Sequence, residues 1–439
     1  MADLRPNAPP PEASHEGLDE RLHDDNPSVR AHALDDLRDK ASPSMIARTA
    51  APLLADPDPG LRERAAHLLT SLSDPRAAAA EVAPFIAHDN ITTRNLAGEV
   101  LVDLGRPAVD ALAPYLRDDD HDVRKFAIDV LAQLPANRLA HAIADTLDDP
   151  DANVRLAAVD ALGALGAWQY SAALLDLYAD EPLARPDILH AMGQFGPHAD
   201  LDLLERGLQD DQPVVQLAAA EALASQDDPE VIDLLLGQVD MVDPMARPVV
   251  LHSIIMLCTN YPQYQQTLPG QLKHAFLDML DDPDSTYRCA AANGLAWFVD
   301  DAVFVAMLAH AGHDDELDMA LFTTLLQHPA PFEPLHRAAT SDTMPIGPAA
   351  TFTVGLLAKG GLSHEALGQA GTFLQQHFNA LDVEDKVTTL GLCRQLDCAA
   401  LHGVVEAALD DPHPDVQTLA ADMASPSASS SSPQDQSVL

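Results

Sequence analysis

Aspartate and arginine recur six residues apart along this chain, and the pair itself returns about every thirty-one residues. A chain that repeats at such a period folds as a stack of like units, because one short unit cannot bury its own apolar face. The clearest copies read LHDDNPSVRAHALDDL from Leu22, LADPDPGLRERAAHLL from Leu54, LRDDDHDVRKFAIDVL from Leu116, LDDPDANVRLAAVDAL from Leu147 and LDDPDSTYRCAAANGL from Leu280. The arginines Arg30, Arg62, Arg94, Arg124, Arg155 and Arg185 continue through Gln216 to Arg247, in steps of 32, 32, 30, 31, 30, 31 and 31. Arg288 then lies 41 residues on and Asp318 another 30. One further copy is too degraded to align, and the series resumes at Lys386 and Gln417, which makes about thirteen units.

Each unit divides into two helical stretches. Before the arginine stands a cluster such as Asp148, Asp149, Pro150 and Asp151, which supplies a helix N-cap acceptor and a rigid turn. In the helix that follows, Val154, Ala157, Ala158, Ala161 and Leu162 recur at three- and four-residue spacing, so one face is apolar. A stop such as Gly105 to Pro107, Leu134 to Pro135 or Gly196 to Pro197 ends it and opens a second apolar-faced helix, as in AVDALAPYL from Ala108 or EVIDLLLGQV from Glu230. Neither helix repays its chain entropy alone, so the pairs must stack into a continuous core.

An Asp, six residues, then Val-Arg, followed by Ala-Ala and Ala-Leu-Gly, resembles the short HEAT-like repeat often named after phycobilisome lyases, over roughly residues 18 to 423. The resemblance implies an all-α fold, a right-curving α-solenoid (an α-α superhelix) of about thirteen HEAT-like helical-hairpin repeats. It also implies that the Asp/Arg pair is a structural ladder tying neighbouring turns together, with Asp24 serving Arg30, Asp56 Arg62, Asp118 Arg124, Asp149 Arg155 and Asp282 Arg288. The pair is replaced at Gln216, Asp318, Lys386 and Gln417, and the acid is missing before Arg185 and Arg247.

Of 68 acidic residues 53 are Asp, and of 25 basic residues only 5 are Lys, giving a formal net charge of −43. Such density opposes compaction through self-repulsion, which is relieved in molar salt, where the Debye length is about 3 Å. The composition resembles that of proteins from salt-accumulating extreme halophiles, and the acid is spread over every repeat rather than gathered into one patch. There is no basic stripe, which argues against a phosphate-backbone ligand and so against nucleic acid. MADLRPNAPPPEASHEG shows no signal pattern and no run approaches eighteen apolar residues, so the expected location is cytoplasmic, with no membrane partner. Residues 1–17 and the Ser/Pro stretch 424–439 are read as disordered tails. Cys258, Cys289, Cys393 and Cys398 have no metal or redox spacing and are expected to be buried thiols.

No phosphate-binding glycine loop, nucleophile elbow, His-Glu-x-x-His or dinucleotide fingerprint occurs. The related deoxyhypusine hydroxylases build a di-iron site from several His-Glu dipeptides on different repeats. Here only His15-Glu16 and His364-Glu365 occur, too few for that site. His310, His313, Asp314 and Asp315 are close in sequence, as are Asp118, Asp119 and Asp120, but both groups read first as structural. The expectation is no catalytic residue, no metal, no cofactor and no small-molecule substrate.

The 41-residue step adds about ten residues, TNYPQYQQTLPG from Thr259, with Tyr261, Tyr264 and two prolines. Insertions in a solenoid map to loops, and loops on one face are frequent binding elements. His252 and Met256 precede it, Trp297 and Phe298 follow one repeat later, and these six are the candidate partner-binding residues. The alternative is a structural junction. The domain reading is therefore regular repeats over 18–240, an irregular repeat with the inserted loop over 241–270, and degenerate repeats over 271–423. The functional expectation is a scaffold or adaptor for another protein; the alternatives are a bilin-lyase-like enzyme or enzyme subunit, and a regulatory adaptor in a signalling cluster.

Overall fold

The computed structural model describes residues 15–226, 228–298, 300–396 and 401–424, which places most of both tails, and Cys398, outside the described residues. His15 to Gly17, read as tail, open the helix His15–Leu22. Among the described residues every regular element is a helix, α or 3₁₀. The chain forms two compact units, Met1–Asp228 and Pro229–Leu439. The division falls twelve residues ahead of the 240/241 boundary read from the ladder, in the stretch between the helices Pro213–Ala224 and Glu230–Gln238.

In the first unit the first helices of successive repeats are Pro27–Lys40, Pro59–Thr70, Ile91–Leu104, His121–Ala132, Ala152–Ala164, Arg185–Gly193 and Pro213–Ala224. In the second unit they are Arg247–Asn260, Ser285–Leu295, Asp315–Leu325, Ile346–Lys359, Val383–Leu396 and Pro414–Ala424. That makes thirteen among the described residues, and the copy too degraded to align is Ile346–Lys359. Within each unit first helices stack on first helices and second helices on second helices, in two layers. An all-α helical-repeat solenoid results.

The starts of these helices follow from the Asp/Asn positions. Asn26, Asp58, Asn90, Asp120, Asp151, Asp284 and Asp314 are N-caps whose side chains accept backbone N–H bonds of the first turn. Each such cap contributes about 1 kcal/mol. The apolar stripe is what the stacking covers: Val154, Ala158, Ala161 and Leu162 are fully buried, as are Phe276 and Phe378 in the second unit. Each large apolar side chain removed from water is worth roughly 1.5–3 kcal/mol. Small residues set how near the first helices approach. A Cβ on Gly163 would lie 2.9 Å from the Cα of Ala191, and one on Gly193 2.9 Å from the Cα of Ala222. The obstacle is backbone in both cases, so Ala152–Ala164, Arg185–Gly193 and Pro213–Ala224 stack only with glycine there. Ser225 and Gln226 both bond to the Gly193 carbonyl, at 3.1 Å each, and so tie the end of Pro213–Ala224 to the end of Arg185–Gly193.

Candidate interaction surface

Arg124 shows the Asp/Arg ladder complete. Its Nη1 donates to the carbonyls of Asp118 (2.8 Å) and Asp119 (3.2 Å) in its own repeat. Its Nε and Nη2 donate to both carboxylate oxygens of Asp149 in the next repeat, at 2.7 and 2.8 Å. Arg30 likewise binds the carbonyl of Asp24 at 2.8 Å and the carboxylate of Asp56 at 2.9 and 2.6 Å. Arg155 joins the carbonyl of Asp149 to Glu181, and Arg288 joins that of Asp282 to the side chain of Asp314. Arg185 reaches Asp210 at 2.8 Å, and Lys386 reaches Asp411 at 2.9 Å.

This corrects the pairing read from the sequence. The six-residue link exists at Asp24/Arg30, Asp56/Arg62, Asp118/Arg124, Asp149/Arg155 and Asp282/Arg288, but it runs through the aspartate's backbone carbonyl. At Asp56 and Asp149 the carboxylate serves the arginine of the preceding repeat. One of its oxygens is held in an Asx turn by the N–H two residues on, at 2.8 to 2.9 Å in Asp24, Asp56, Asp118, Asp149 and Asp282. Its other contacts are therefore made away from its own helix. The hydrogen bonds from Arg124 hold the Asp149 carboxyl below the usual carboxylate range, against the opposing effect of burial.

Where the arginine is replaced, part of the ladder persists. Gln216 donates to the Asp210 carbonyl at 2.7 Å, which keeps the backbone half of the link. Asp318 inverts it: its carboxylate accepts the N–H of Gly312 at 2.8 and 3.1 Å, with Gly312 at φ 92°. Burial raises the Asp318 pKa, and this bond opposes the rise.

At Arg247 the ladder breaks. The residue six before it is Met241, and the guanidinium turns to Asp240 at 2.9 Å while its buried Nε has no acceptor. The next ladder aspartate is Asp282, put out of step by the insertion, and Lys273, at about the ordinary distance, pairs with Asp300 at 3.5 Å. Between Arg247 and Asp282 lies a cavity of about 340 Å³, whose walls also carry Asp240, Asp278, Leu251 and Met279.

The inserted residues form the 3₁₀ segment Pro262–Thr267, tied to the helix end by Gln265 Nε2 donating to the Cys258 carbonyl at 2.8 Å. Tyr261 and Tyr264 are half-buried, Leu268, which follows them in sequence, is buried, and Met256 is 48% exposed. His252 meets the ring of Tyr287 edge-on at 5.6 Å and is buried enough to lie below the ordinary imidazole pKa, with Asp284 pulling the other way. Phe298 packs edge-on at 6.1 Å against the fully buried Phe276, and Trp297 is half-buried after Ser285–Leu295. Met256 is thus presented to solvent, whereas Phe298 and His252 are engaged by neighbouring rings. Met241 and Met245, 77% and 68% exposed, were not singled out by periodicity, since they fall in the turn ahead of Arg247–Asn260. The absent ladder acid at Met241 was their sequence signal.

The metal-ligand candidates are not brought together. His310 pairs with Asp281 at 3.2 Å, and Asp314 is engaged by Arg288. The metal-like cluster among the described residues is the exposed Asp120, His121 and Asp122, where the Asp120 oxygen already accepts the N–H of Asp122. His364 and Glu365 line an open groove of about 890 Å³ between Phe332–Thr340 and His364–His377, together with His336 and His377 on either side of Phe373. Cys258 and Cys393 are buried, with pKa pushed up to about 11 by burial, and Cys289 is half-buried.

Residues 79–163, 109–186 and 181–255 match the model of HEAT repeats. HEAT-like repeats therefore make up the stretch 79–255. No curated protein matches the HEAT-like chain. Among solved structures it is similar to a chain of the structure in which Kap95p binds RanGDP, at 12% identity and a TM-score of 0.49, covering 94% of this chain and 69% of that one. It is also similar to Kap121p, at 13% identity and a TM-score of 0.43, covering 93% of this chain and 48% of that one, so it spans about half the length of Kap121p. A chain of an AP-3 complex model is similar at 11% identity and a TM-score of 0.43, covering 90% and 94%. No described helix of the HEAT-like chain is long and apolar enough to cross a membrane.

Proposed function

We propose that this protein is a non-catalytic HEAT-repeat scaffold that holds another protein on residues 241–298 of its second unit. The observation that carries this reading is a coincidence of two independent features. The ladder breaks at Arg247, and three exposed large apolar side chains, Met241, Met245 and Met256, fall within the same stretch. Unbranched, polarizable methionines are over-used at binding surfaces, and a solvated apolar stretch gains most from a partner. The insertion adds Tyr261 and Tyr264, each offering a large contact area with a polar tip. The charge of −43 belongs, in this reading, to a halophile cytoplasm rather than to a basic partner.

The test is Tyr261→Ala with Tyr264→Ala, measured for helicity, melting and partner capture side by side in high salt. Capture should weaken while melting stays within about 0.5 kcal/mol of wild type, as for surface substitutions. A double mutant that loses helicity while still capturing the partner shows that the segment is a structural junction.

A further inference from the structure

We propose that the cavity at the ladder break receives an arginine side chain of the partner protein, which gives Asp282 the guanidinium that no described residue of this chain supplies. This rests on the scaffold reading and names what one pocket of that surface recognises.

The ladder itself shows what the vacancy fits. Asp56, Asp149, Asp210 and Asp411 each stand at the same register position and each receives a cation from the preceding repeat, from Arg30, Arg124, Arg185 and Lys386. Asp282 stands at that position too. Its carbonyl accepts Arg288 Nη1 at 2.8 Å and its Oδ1 accepts the Asp284 N–H at 2.9 Å. Among the described residues no cation reaches its carboxylate, because Arg247 is held by Asp240. Asp118 also lacks such a bond, but there the preceding arginine, Arg94, keeps the ordinary step of 30. At Asp282 the step is 41, and the displaced register leaves the 340 Å³ cavity.

The walls suit an arginine better than other cations. Val239, Val242, Leu251, Ala275 and Met279 form an apolar floor, all less than a tenth exposed, over which the three-carbon stem can lie. Asp240, Asp278 and Asp282 stand round it against the single cation Arg247, leaving two carboxylates in excess. A planar guanidinium meets a ladder carboxylate with two parallel bonds, as Arg124 does Asp149, whereas an ammonium offers a point charge. A polypeptide arginine presents the guanidinium alone, whereas free arginine adds an α-carboxylate that the same acids repel and an α-ammonium that they attract, which makes it the comparison probe.

The experiment uses the full chain with ¹³C-labelled methionine methyls, in potassium chloride high enough to keep it helical. The probes are Nα-acetyl-arginine methylamide, its uncharged citrulline counterpart and free arginine. The acetyl-arginine amide should shift the Met279 methyl saturably, with a dissociation constant on the order of millimolar. The citrulline amide should not, and Asp282→Asn should abolish the shift while leaving Met45, in the first unit, at its wild-type position. That variant keeps the side-chain oxygen for the Asp284 N–H and the carbonyl for Arg288, so the local turn is preserved. An equal response to citrulline, or an undiminished response in Asp282→Asn, overturns the site. Free arginine binding tenfold more tightly than the capped amide overturns the partner-protein source and makes this a small-molecule pocket. If crosslinks from Met256 to a partner persist while arginine selectivity is absent, only this inference fails and the scaffold reading stands.

Discussion

Replacing Arg124 by alanine removes four hydrogen bonds at once, two to carbonyls of its own repeat and two to the Asp149 carboxylate. Arg124 and Asp149 are only 12% and 7% exposed in their side chains, so the carboxylate left behind is nearly buried. Removing one partner of a buried pair costs about 3–5 kcal/mol. Asp149 retains the Asp151 N–H at 2.9 Å, which puts the expected loss at the low end, about 3 kcal/mol. Lys125→Ala is the control, because Lys125 pairs with Asp129 at a site where both are about two-fifths exposed, worth roughly 0.3–0.5 kcal/mol. Repeat arrays lose all-or-none cooperativity, so the assay is amide exchange across His121–Ala132 and Ala152–Ala164 alongside urea melting. A double-mutant cycle then separates the two geometries. Arg124→Ala with Asp149→Asn should show coupling of about 2 kcal/mol, and Arg155→Ala with Asp149→Asn less than about 0.5 kcal/mol. The reverse order, or a loss at Arg124 no larger than at Lys125, refutes the inter-repeat assignment.

The remaining expectations follow from charge, packing and chemistry. The Asp149 carboxyl titrates lower folded than unfolded, so its stabilisation is present above the ordinary carboxylate pKa of about 4 and is lost as pH falls through the folded value; Asp149→Asn should flatten that acid limb of the stability curve. His252 lies below the ordinary imidazole range, so the unfolded chain takes up its proton first as pH drops through about 6.5, and stability of the second unit should fall there unless His252 is replaced by Gln. Gly193→Ala, whose Cβ would meet the Cα of Ala222 at 2.9 Å, should destabilise the first unit by about 1–3 kcal/mol in the same exchange experiment. Helical circular dichroism should collapse as potassium chloride falls from molar to below roughly 0.2 M; melting indifferent to salt contradicts the halophilic reading. Elemental analysis should find no stoichiometric iron or zinc, and a bound metal would direct attention first to His310, His313 and His364.

What was legible in the sequence was whatever the repeat writes many times. The Asp-x-Asp/Asn turns gave the caps, and the step of about thirty-one gave the thirteen first helices among the described residues, including the one at Ile346–Lys359 that no longer shows the motif. Partnership within the ladder was not legible. Asp149 is six residues from Arg155 and twenty-five from Arg124, and a linear spacing cannot say that the near link uses a carbonyl and the far one a carboxylate. The candidate surface was legible only in part. The insertion marked the broken step, but His252 and Phe298, selected by proximity, are engaged by Tyr287 and Phe276. Met241, Met245 and Asp282 carry their significance through what the neighbouring repeat does not supply, which appears only once the repeats are stacked.

The central claim is that a partner protein sits on residues 241–298 while the ladder serves stability. The most direct test places a photoreactive residue singly at Met245, Met256 and, as control, Met45 on Pro43–Ala50, in the cells that make the protein. The account predicts crosslinks to one and the same partner from Met245 and Met256 and none from Met45. Crosslinks from Met45 with none from Met245 or Met256 contradict it and move the interaction surface to the regular repeats of the first unit.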